Sequence, residues 1–190
     1  MPKLWTDTIA SHRAAVRDAI LDATEGLVDE LGLRSVTMAD VAIRAGIGRA
    51  TLYKYFGDAE SILRAWHERE VDRHLAGLVA ITQGTGDAAT RLRAVLEHYA
   101  TTAHARRGAH DGELGAFLHR DERVFAARVR LRQLLADLIA EAAAFGAVRD
   151  DITPTELAAY CLAALSAAGE ASTRTGVRRL IGLTLAGLRP

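Results

Sequence analysis

Hydrophobic residues recur every three or four positions along most of this chain, with polar residues between them. In residues 11–31 the apolar positions share one side of a helix, and they are Val16, Ile20, Ala23, Leu27 and Leu31. Acidic residues occupy the opposite side, at Asp18, Asp22, Glu25 and Asp29. The pattern predicts a first helix over residues 11–31 that ends at Gly32 in a left-handed cap. Because carboxylates repel phosphates, we expect the acidic side to face away from any DNA.

The same period continues to the end of the chain and predicts an all-α fold. Gly57 and Asp58 mark a turn and a helix start. Thr153-Pro154-Thr155-Glu156 marks another start, with a cap, a proline at the first helical position and a glutamate that reaches back. Further helices are expected at about residues 59–79, 87–106, 113–119, 122–145, 154–171 and 176–188. The helix at 122–145 carries apolar positions as far as Phe145.

The stretch TMADVAIRAGIGRATLYKYF, residues 37–56, has the spacing of a helix-turn-helix. Thr37 with Asp40 three residues later resembles a capping box, so a helix is expected to begin there. Ala42 lets two helices approach, Gly46 takes the turn, and Leu52 anchors the second helix. Ile47 is expected in the core beneath the turn, and Gly48 is expected to permit a second tight change of direction.

The second helix of this motif, expected over residues 49–55, has side chains that suit DNA and are poor for a core. Arg49 can pair with the O6 and N7 atoms of guanine, and Ala50 is short enough to meet a thymine methyl group. Hydroxyl and ammonium groups nearby can bond phosphates and so fix register. One of the two tyrosines is expected to pack against the first helix, with Tyr53 favoured as the phosphate contact. The candidate DNA-binding residues are Thr37, Arg44, Gly48, Arg49, Ala50, Thr51, Tyr53, Lys54 and Tyr55.

Residues 19–63 resemble the amino-terminal domain of the tetracycline repressor (TetR) family of transcription regulators. The matching residues are Thr37-Met38-Ala39-Asp40-Val41-Ala42, Ala45-Gly46-Ile47-Gly48-Arg49-Ala50-Thr51-Leu52-Tyr53 and Tyr55-Phe56. The resemblance implies a three-helix, homeodomain-like helix-turn-helix domain in residues 1–57. It implies a helical effector-binding and dimerisation domain in residues 58–190, joined to the first domain by the helix at 59–79.

The family resemblance also implies a function and partners. It implies a sequence-specific repressor that a small-molecule effector releases from a palindromic double-stranded operator. It implies a homodimer formed through the last two helices, residues 154–188. In the family, residues matching Thr37, Thr51 and Tyr53 are common phosphate contacts. The family often has a lysine where this chain has Ala59, which puts one phosphate contact in doubt.

Composition narrows these expectations. The 24 basic and 24 acidic residues give a formal net charge of zero, so positive charge for DNA must be local. The single cysteine, Cys161, excludes an internal disulfide and is expected to be a small core residue. No charged-then-apolar leader opens the chain and no long apolar run could span a bilayer, so a cytoplasmic protein without membrane partners is expected.

The effector cavity implied by the resemblance would need apolar walls, and aromatic side chains are typical of such walls. The candidates are Tyr99, Phe117, Phe125 and Tyr160, each with the alternative of filling the core. No cofactor, catalytic site or metal site is predicted. The sequence has no nucleophile elbow, HExxH or paired CxxC motif, and its seven histidines lack chelating spacing.

Two other functions stay open from sequence alone. One is a small all-helical enzyme or ligand carrier that retains the motif only as structure, and the other is a constitutive DNA-binding protein without an effector. Arg13 and Arg17 also have two interpretations. They lie either in an arm that enters the minor groove or as solvated arginines at a helix start.

Overall fold

The computed structural model describes residues 3–105 and 122–190, with side chains from residue 10 onward. These residues form α-helices and two short 3-10 turns, at Leu33–Ser35 and Ala167–Gly169, and no strand occurs among them. The prediction of an all-α fold is therefore confirmed. The helices in chain order are α1 (Lys3–Leu31), α2 (Met38–Arg44), α3 (Arg49–Tyr53), α4 (Ala59–Thr82), α5 (Ala88–Ala105), α6 (Glu122–Ala144), α7 (Pro154–Ser166) and α8 (Arg174–Ala186).

The described residues divide into two compact units, residues 3–70 and residues 71–105 with 122–190. The beginning of α4 belongs to the first unit because its apolar side chains are part of that core. The core of the first unit contains Ile20, Leu21, Leu27, Val28, Leu33, Val36, Val41, Ala42, Leu52, Phe56, Ile62, Leu63, Ala65 and Trp66. The division falls within α4, after Glu70, whereas the domain boundary at residue 57 stays a prediction.

The second unit has a core of aliphatic side chains from α5, α6, α7 and α8, together with the last turns of α4. Leu135 and Ile139 of α6 and Leu165 of α7 are fully buried in it. Burying one such side chain contributes about 1.5–3 kcal/mol. Cys161 lies in the same core, and burial raises the pKa of its thiol to about 12, so the prediction of a small core residue is confirmed.

Side-chain caps determine where several helices begin. The backbone N–H of Ser61 donates to Asp58 Oδ1 at 2.7 Å before α4, and the N–H of Thr90 donates to Asp87 Oδ1 at 2.7 Å before α5. A complete capping box precedes α7, in which Thr153 Oγ1 accepts from the N–H of Glu156 and the Glu156 carboxylate accepts from the N–H of Thr153. These helix starts were predicted from the sequence and are confirmed.

The structure corrects several helix boundaries. Helix α1 begins at Lys3 and not at residue 11, so the amino-terminal segment is helical from that point. Helix α7 ends at Ser166, earlier than predicted, because a 3-10 turn follows it. Helix α8 begins at Arg174, where the Thr173 side chain caps it. The loop and short helix expected at 107–119 lie outside the described residues.

Two predicted core residues are exposed. Leu31 is 50% exposed at the end of α1, and the neighbouring Leu33 is buried in its place after the chain turns. Gly32 has a positive φ of 79° but a ψ of 157°, which is not the left-handed helical cap that was expected. Phe145 is 82% exposed just beyond the end of α6. Helical periodicity continued past the point where neighbouring elements cover the helix.

No helix in residues 3–105 and 122–190 combines the length and apolar character needed to cross a membrane. In the same ranges, no group of three or more histidine, cysteine, aspartate or glutamate side chains is arranged to hold a metal ion.

The capping box before α7 gives a stability prediction. Thr153→Ala removes the Oγ1 acceptor and should lower the free energy of unfolding by about 1 kcal/mol. Thr155→Ala, two residues later on an exposed position of α7, is the matched control and should change little. Urea unfolding followed by circular dichroism measures both variants, and equal losses would contradict the capping role.

The same box makes this difference depend on pH. The hydroxyl and then the backbone N–H of Thr153 hold the Glu156 pKa below its ordinary value. A lowered carboxyl pKa stabilises the fold above the unfolded pKa of about 4.3 and loses that stabilisation as pH falls through the folded pKa. The difference between the wild-type protein and Thr153→Ala should therefore narrow below about pH 4.

Candidate nucleic-acid interface

The helix-turn-helix is formed by α2, α3 and the turn between them. Thr37 caps α2, since its Oγ1 accepts from the N–H of Asp40 at 3.2 Å and donates to Asp40 Oδ2 at 2.6 Å. The chain turns at Gly46, whose φ of 66° is a left-handed conformation that favours glycine. The N–H of Ile47 then donates to Ala42 O at 3.0 Å, which closes the turn.

Apolar side chains on either side of the turn pack into the core of the first unit and hold the turn in place. Val41 and Leu52 have no exposed surface, and Ala42 is 3% exposed. Ile47 packs against the same core but is only half-buried, whereas the sequence predicted it in the core. Gly48 has a φ of −68°, which any residue can adopt, so the expected second tight change of direction does not need glycine. Gly48 is the N-cap residue of α3, and no side chain caps the helix there.

The solvent side of α3 carries most of the predicted DNA-binding residues. Gly48, Arg49, Ala50 and Lys54 are exposed, Tyr53 is 57% exposed, and Thr51 is half-buried. They follow one another along a helix whose opposite side is anchored by Leu52. This arrangement leaves an arginine and a small alanine accessible at the amino end of α3, with hydroxyl and ammonium groups beyond them.

Tyr55 is placed differently from Tyr53. Its ring is half-buried against the core of the first unit, and the guanidinium carbon of Arg13 lies 5.9 Å from the ring centroid. Arg17 lies 5.4 Å over the ring of Phe56 in the same way. The expectation that one tyrosine packs against the first helix is confirmed. Arg13 and Arg17 lie within α1 and not in an extended arm, and arginine over an aromatic face is a favourable arrangement.

Arg44 has a partner that the sequence did not indicate. Its Nη1 and Nη2 donate to Oε1 and Oε2 of Glu30 at 2.9 and 2.6 Å, so the guanidinium and the carboxylate form a two-bond fork between α2 and α1. Hydrogen bonding to Arg44 lowers the pKa of Glu30, and the same bonds raise the pKa of Arg44. Contact of Arg44 with DNA stays a prediction.

The acidic side of α1 binds a second arginine, on α4. Arg69 Nη1 donates to Asp22 Oδ1 at 2.7 Å, and Arg69 Nη2 lies 3.3 Å from Glu25 Oε2. The sequence identified this acidic side but not its basic partners. One sequence signal for these pairs was the presence of arginines on two neighbouring helices of the same unit.

The amino end of α4 is occupied by an acidic side chain. The Asp58 carboxylate accepts the N–H of Ser61, and that bond lowers the Asp58 pKa, so the group carries negative charge at neutral pH. Ala59 follows, where the resembled family often has lysine. A phosphate would be attracted less strongly to the N–H groups at this helix start, because the Asp58 carboxylate already bonds one of them.

The described aromatic candidates for an effector pocket differ in how far they are buried. Tyr99 on α5 is half-buried against the core, burial raises the pKa of its hydroxyl, and the nearby charge of Arg128 partly opposes that rise. Phe125 on α6 is 66% exposed and Tyr160 on α7 is 43% exposed, and their place in an effector pocket stays a prediction. Phe117 lies outside the described residues.

Tyr99 has two histidines beside it. The rings of His74 and His98 stack with centroids 5.1 Å apart, and His74 lies 6.4 Å from the Tyr99 ring. Tyr160 instead lies against Gly187 and lines an open cleft of about 650 Å³ with Arg149, Asp151 and Glu156. The two tyrosines therefore have separate surroundings.

Comparison with known proteins decides the family. A model of bacterial regulatory proteins of the tetR family matches residues 20–66, which include α2 and α3. A model described as "Transcriptional regulator SbtR-like, C-terminal domain" matches residues 87–190, more than half of the chain. This chain belongs to the TetR family. The predicted resemblance is thereby confirmed, and the family is one of transcriptional regulators and not of enzymes.

Individual relatives agree with that family. The "Uncharacterized HTH-type transcriptional regulator Rv1255c" of Mycobacterium tuberculosis is 39% identical over 69 residues, which are 36% of this chain and 34% of that protein. The match therefore spans about a third of the length of that curated relative.

Solved structures extend the likeness to most of the fold. The TetR transcriptional regulator SCO0520 from Streptomyces coelicolor is 29% identical, with a TM-score of 0.66 over 92% of this chain and 98% of that one. A TetR/AcrR family regulator from Thermobifida fusca has a TM-score of 0.76 over 92% of this chain and 98% of that one, at 24% identity. The second likeness bears on the fold alone.

The two glycines of the turn give a matched prediction. Gly46→Ala should lower the free energy of unfolding by roughly 1–2 kcal/mol, because alanine is strained at a left-handed φ although space surrounds the site. Gly48→Ala should cost less, because its φ is ordinary and an added Cβ would lie 4.0 Å from Thr51 Oγ1, so only the poorer fit of alanine at a helix N-cap remains. Chemical unfolding of both variants checks the contrast, which would be lost if the turn adapted its backbone.

Proposed function

We propose that this chain is a sequence-specific, homodimeric transcriptional repressor whose α3 enters the major groove of an operator. The proposal is supported chiefly by the exposed Arg49, Ala50 and Tyr53 on a helix that Leu52 anchors to the core. In helix-turn-helix proteins the amino-terminal residues of the second helix contact base edges. Arg49 then pairs with guanine, and Ala50 allows close approach or contacts a thymine methyl group.

Phosphate contacts would surround these base contacts. Thr37 and Thr51 supply hydroxyl groups, and Tyr53 and Lys54 supply groups exposed on or just after α3. Such contacts fix the register of a protein on DNA without selecting sequence. Tyr55 contributes chiefly through packing, because its ring is half-buried, and its hydroxyl remains a candidate at the edge of this surface.

Dimerisation through α7 and α8 is supported by the side chains that these helices leave in solvent. Leu183 is 68% exposed and Tyr160 is 43% exposed. The other exposed positions of α7, the turn after it and α8 include small residues, which are Ala159, Ala163, Ala167, Gly182 and Ala186. Small residues allow helices to approach closely, and a symmetric pair of such faces would form a four-helix bundle. A dimer would present two copies of α3 to a palindromic site, in grooves roughly 34–36 Å apart or a multiple of it.

Control by a small-molecule effector is the second part of the proposal. Tyr99 is the described aromatic candidate that is half-buried against the core, and the stacked rings of His74 and His98 supply polar groups near it through His74. Apolar walls with a few polar groups are typical of ligand sites. An effector would release the operator only to the extent that it binds the non-operator conformation more tightly.

The DNA-binding proposal is tested at Arg49. Duplexes selected from random DNA by the unsubstituted protein serve as the operator probe, and binding is measured by fluorescence anisotropy at several salt concentrations. Arg49→Ala should lower operator affinity by about 5- to 150-fold while leaving binding to scrambled DNA nearly unchanged. Arg132→Ala, which removes an exposed arginine from α6, is the control for charge. An enzyme or ligand carrier that keeps the motif only as structure would select no duplex at all.

The dimer proposal is tested at Leu183. Leu183→Glu places a charge on the exposed face of α8 and should convert a dimer to a monomer, because burying an unpaired charge in an interface is costly. Phe145→Glu makes the same kind of change at a residue that is 82% exposed and lies outside α7 and α8. Sedimentation velocity should show monomers only for Leu183→Glu. Dimers that persist in Leu183→Glu would require a different interface.

A further inference from the structure

Arg44, Glu30 and Gly26 form a small assembly, here named the Arg44 clamp, that holds the end of α2 on α1. Both terminal nitrogens of Arg44 bond the two carboxylate oxygens of Glu30, at 2.9 and 2.6 Å. Gly26 lies four residues before Glu30, on the same side of α1. A Cβ added at Gly26 would come within 3.0 Å of Arg44 Nη1.

This contact explains a glycine inside a long helix. Gly26 does not have a positive φ, so its backbone has no need of glycine. Glycine is also disfavoured in helix interiors relative to alanine. A Cβ at position 26 would be crowded against the Arg44 guanidinium, which would have to shift by a few tenths of an ångström. Glycine at position 26 therefore leaves room for the Arg44 guanidinium where it bonds Glu30.

The paired state of Arg44 makes it a poor phosphate ligand. Two of its nitrogens donate to Glu30, and the carboxylate cancels its charge at close range. A phosphate approaching the guanidinium would also meet the negative charge of Glu30, and like charges repel. Arg44 is the last residue of α2, two positions before the left-handed turn at Gly46 that leads into α3.

We propose that Arg44 is a positioning residue for DNA recognition, which acts through Glu30 and Gly26 to fix the end of α2 and thereby the direction of α3. The apolar contacts of α2 hold one side of a helix of seven residues. The clamp adds a directional constraint at its carboxyl end, because a two-bond arginine–carboxylate pair restricts geometry more than a point charge does. This inference rests on the proposed function.

Glu30→Gln separates positioning from phosphate contact, because the two roles predict opposite effects. If Arg44 bound phosphate, removing the carboxylate would release its charge and strengthen DNA binding. If the clamp positions α3, the loss of the charged fork should weaken operator binding by roughly three- to ten-fold. Asp29→Asn makes the same change of net charge at the neighbouring residue and is the control for long-range electrostatics.

The test uses the full chain, the operator duplex selected by that chain and a scrambled duplex of equal length. For Glu30→Gln we expect a loss on the operator and little change on the scrambled duplex, with the salt dependence unaltered. The charge-exchanged pair Glu30→Arg with Arg44→Glu should recover part of the loss. Operator binding by Glu30→Gln as tight as by Asp29→Asn, or a salt slope reduced by about one in Arg44→Gln, would overturn the clamp.

A second experiment, at Gly26, measures thermal stability and needs no DNA. It therefore tests the clamp even if a variant binds DNA poorly. Gly26→Ala should raise Tm more in the Arg44→Ala background than in the unsubstituted protein, because helix propensity is gained in both but the guanidinium is displaced only in the second. Equal increases in Tm would show that position 26 and Arg44 are independent and would overturn the clamp. Unsubstituted protein that selects no DNA would overturn both this inference and the proposed function, whereas the other outcomes bear on the clamp alone.

Discussion

The first unit depends on one constraint, the direction in which the chain leaves α2. Gly46 turns the chain in a left-handed conformation that other residues adopt at a cost, and Leu52 then secures α3 by full burial. Within these seven residues, the backbone conformation at Gly46 sets the turn and the burial of Leu52 then holds α3 in place. The exposed side of α3 follows from this arrangement, because a helix anchored along one side must present its other side to solvent.

Ion pairs on α1 add direction to a core that is largely non-directional. Hydrophobic burial scales with area and tolerates rotation of short helices, whereas a guanidinium that bonds two carboxylate oxygens does not. Glu30 pairs with α2, and Asp22 and Glu25 pair with α4. The pairs are partly exposed, so each contributes little to stability. These ion pairs instead restrict how α2 and α4 are oriented on α1. They also pair three carboxylates of the first unit with arginines, so that these acidic charges are not left unpaired near the helix-turn-helix.

Sequence patterns predicted what is local and missed what is tertiary. The helix-turn-helix, its caps and its buried anchor could be predicted, because Thr37, Gly46 and Leu52 act through neighbours a few residues away. The pairing of Arg44 with Glu30 could not, since 14 residues separate them. One overlooked signal was Gly26, an interior helix glycine without a conformational need. The predicted burial of Leu31 and Phe145 was wrong for a related reason, because periodicity identifies a side of a helix but not what covers it.

In the second unit, too, the sequence pattern did not show which side chains other elements cover. Leu183 of α8 and Tyr160 of α7 were predicted as parts of helices, and one copy of the chain leaves both side chains exposed. Leaving a large apolar side chain in water has a cost of roughly 1.5–3 kcal/mol relative to burial, so exposed Leu183 and Tyr160 on two consecutive helices that also expose small residues favour a partner. A single exposed phenylalanine is ordinary on a protein surface. A close-approach face spread over two consecutive helices is the feature that favours a second copy of the chain.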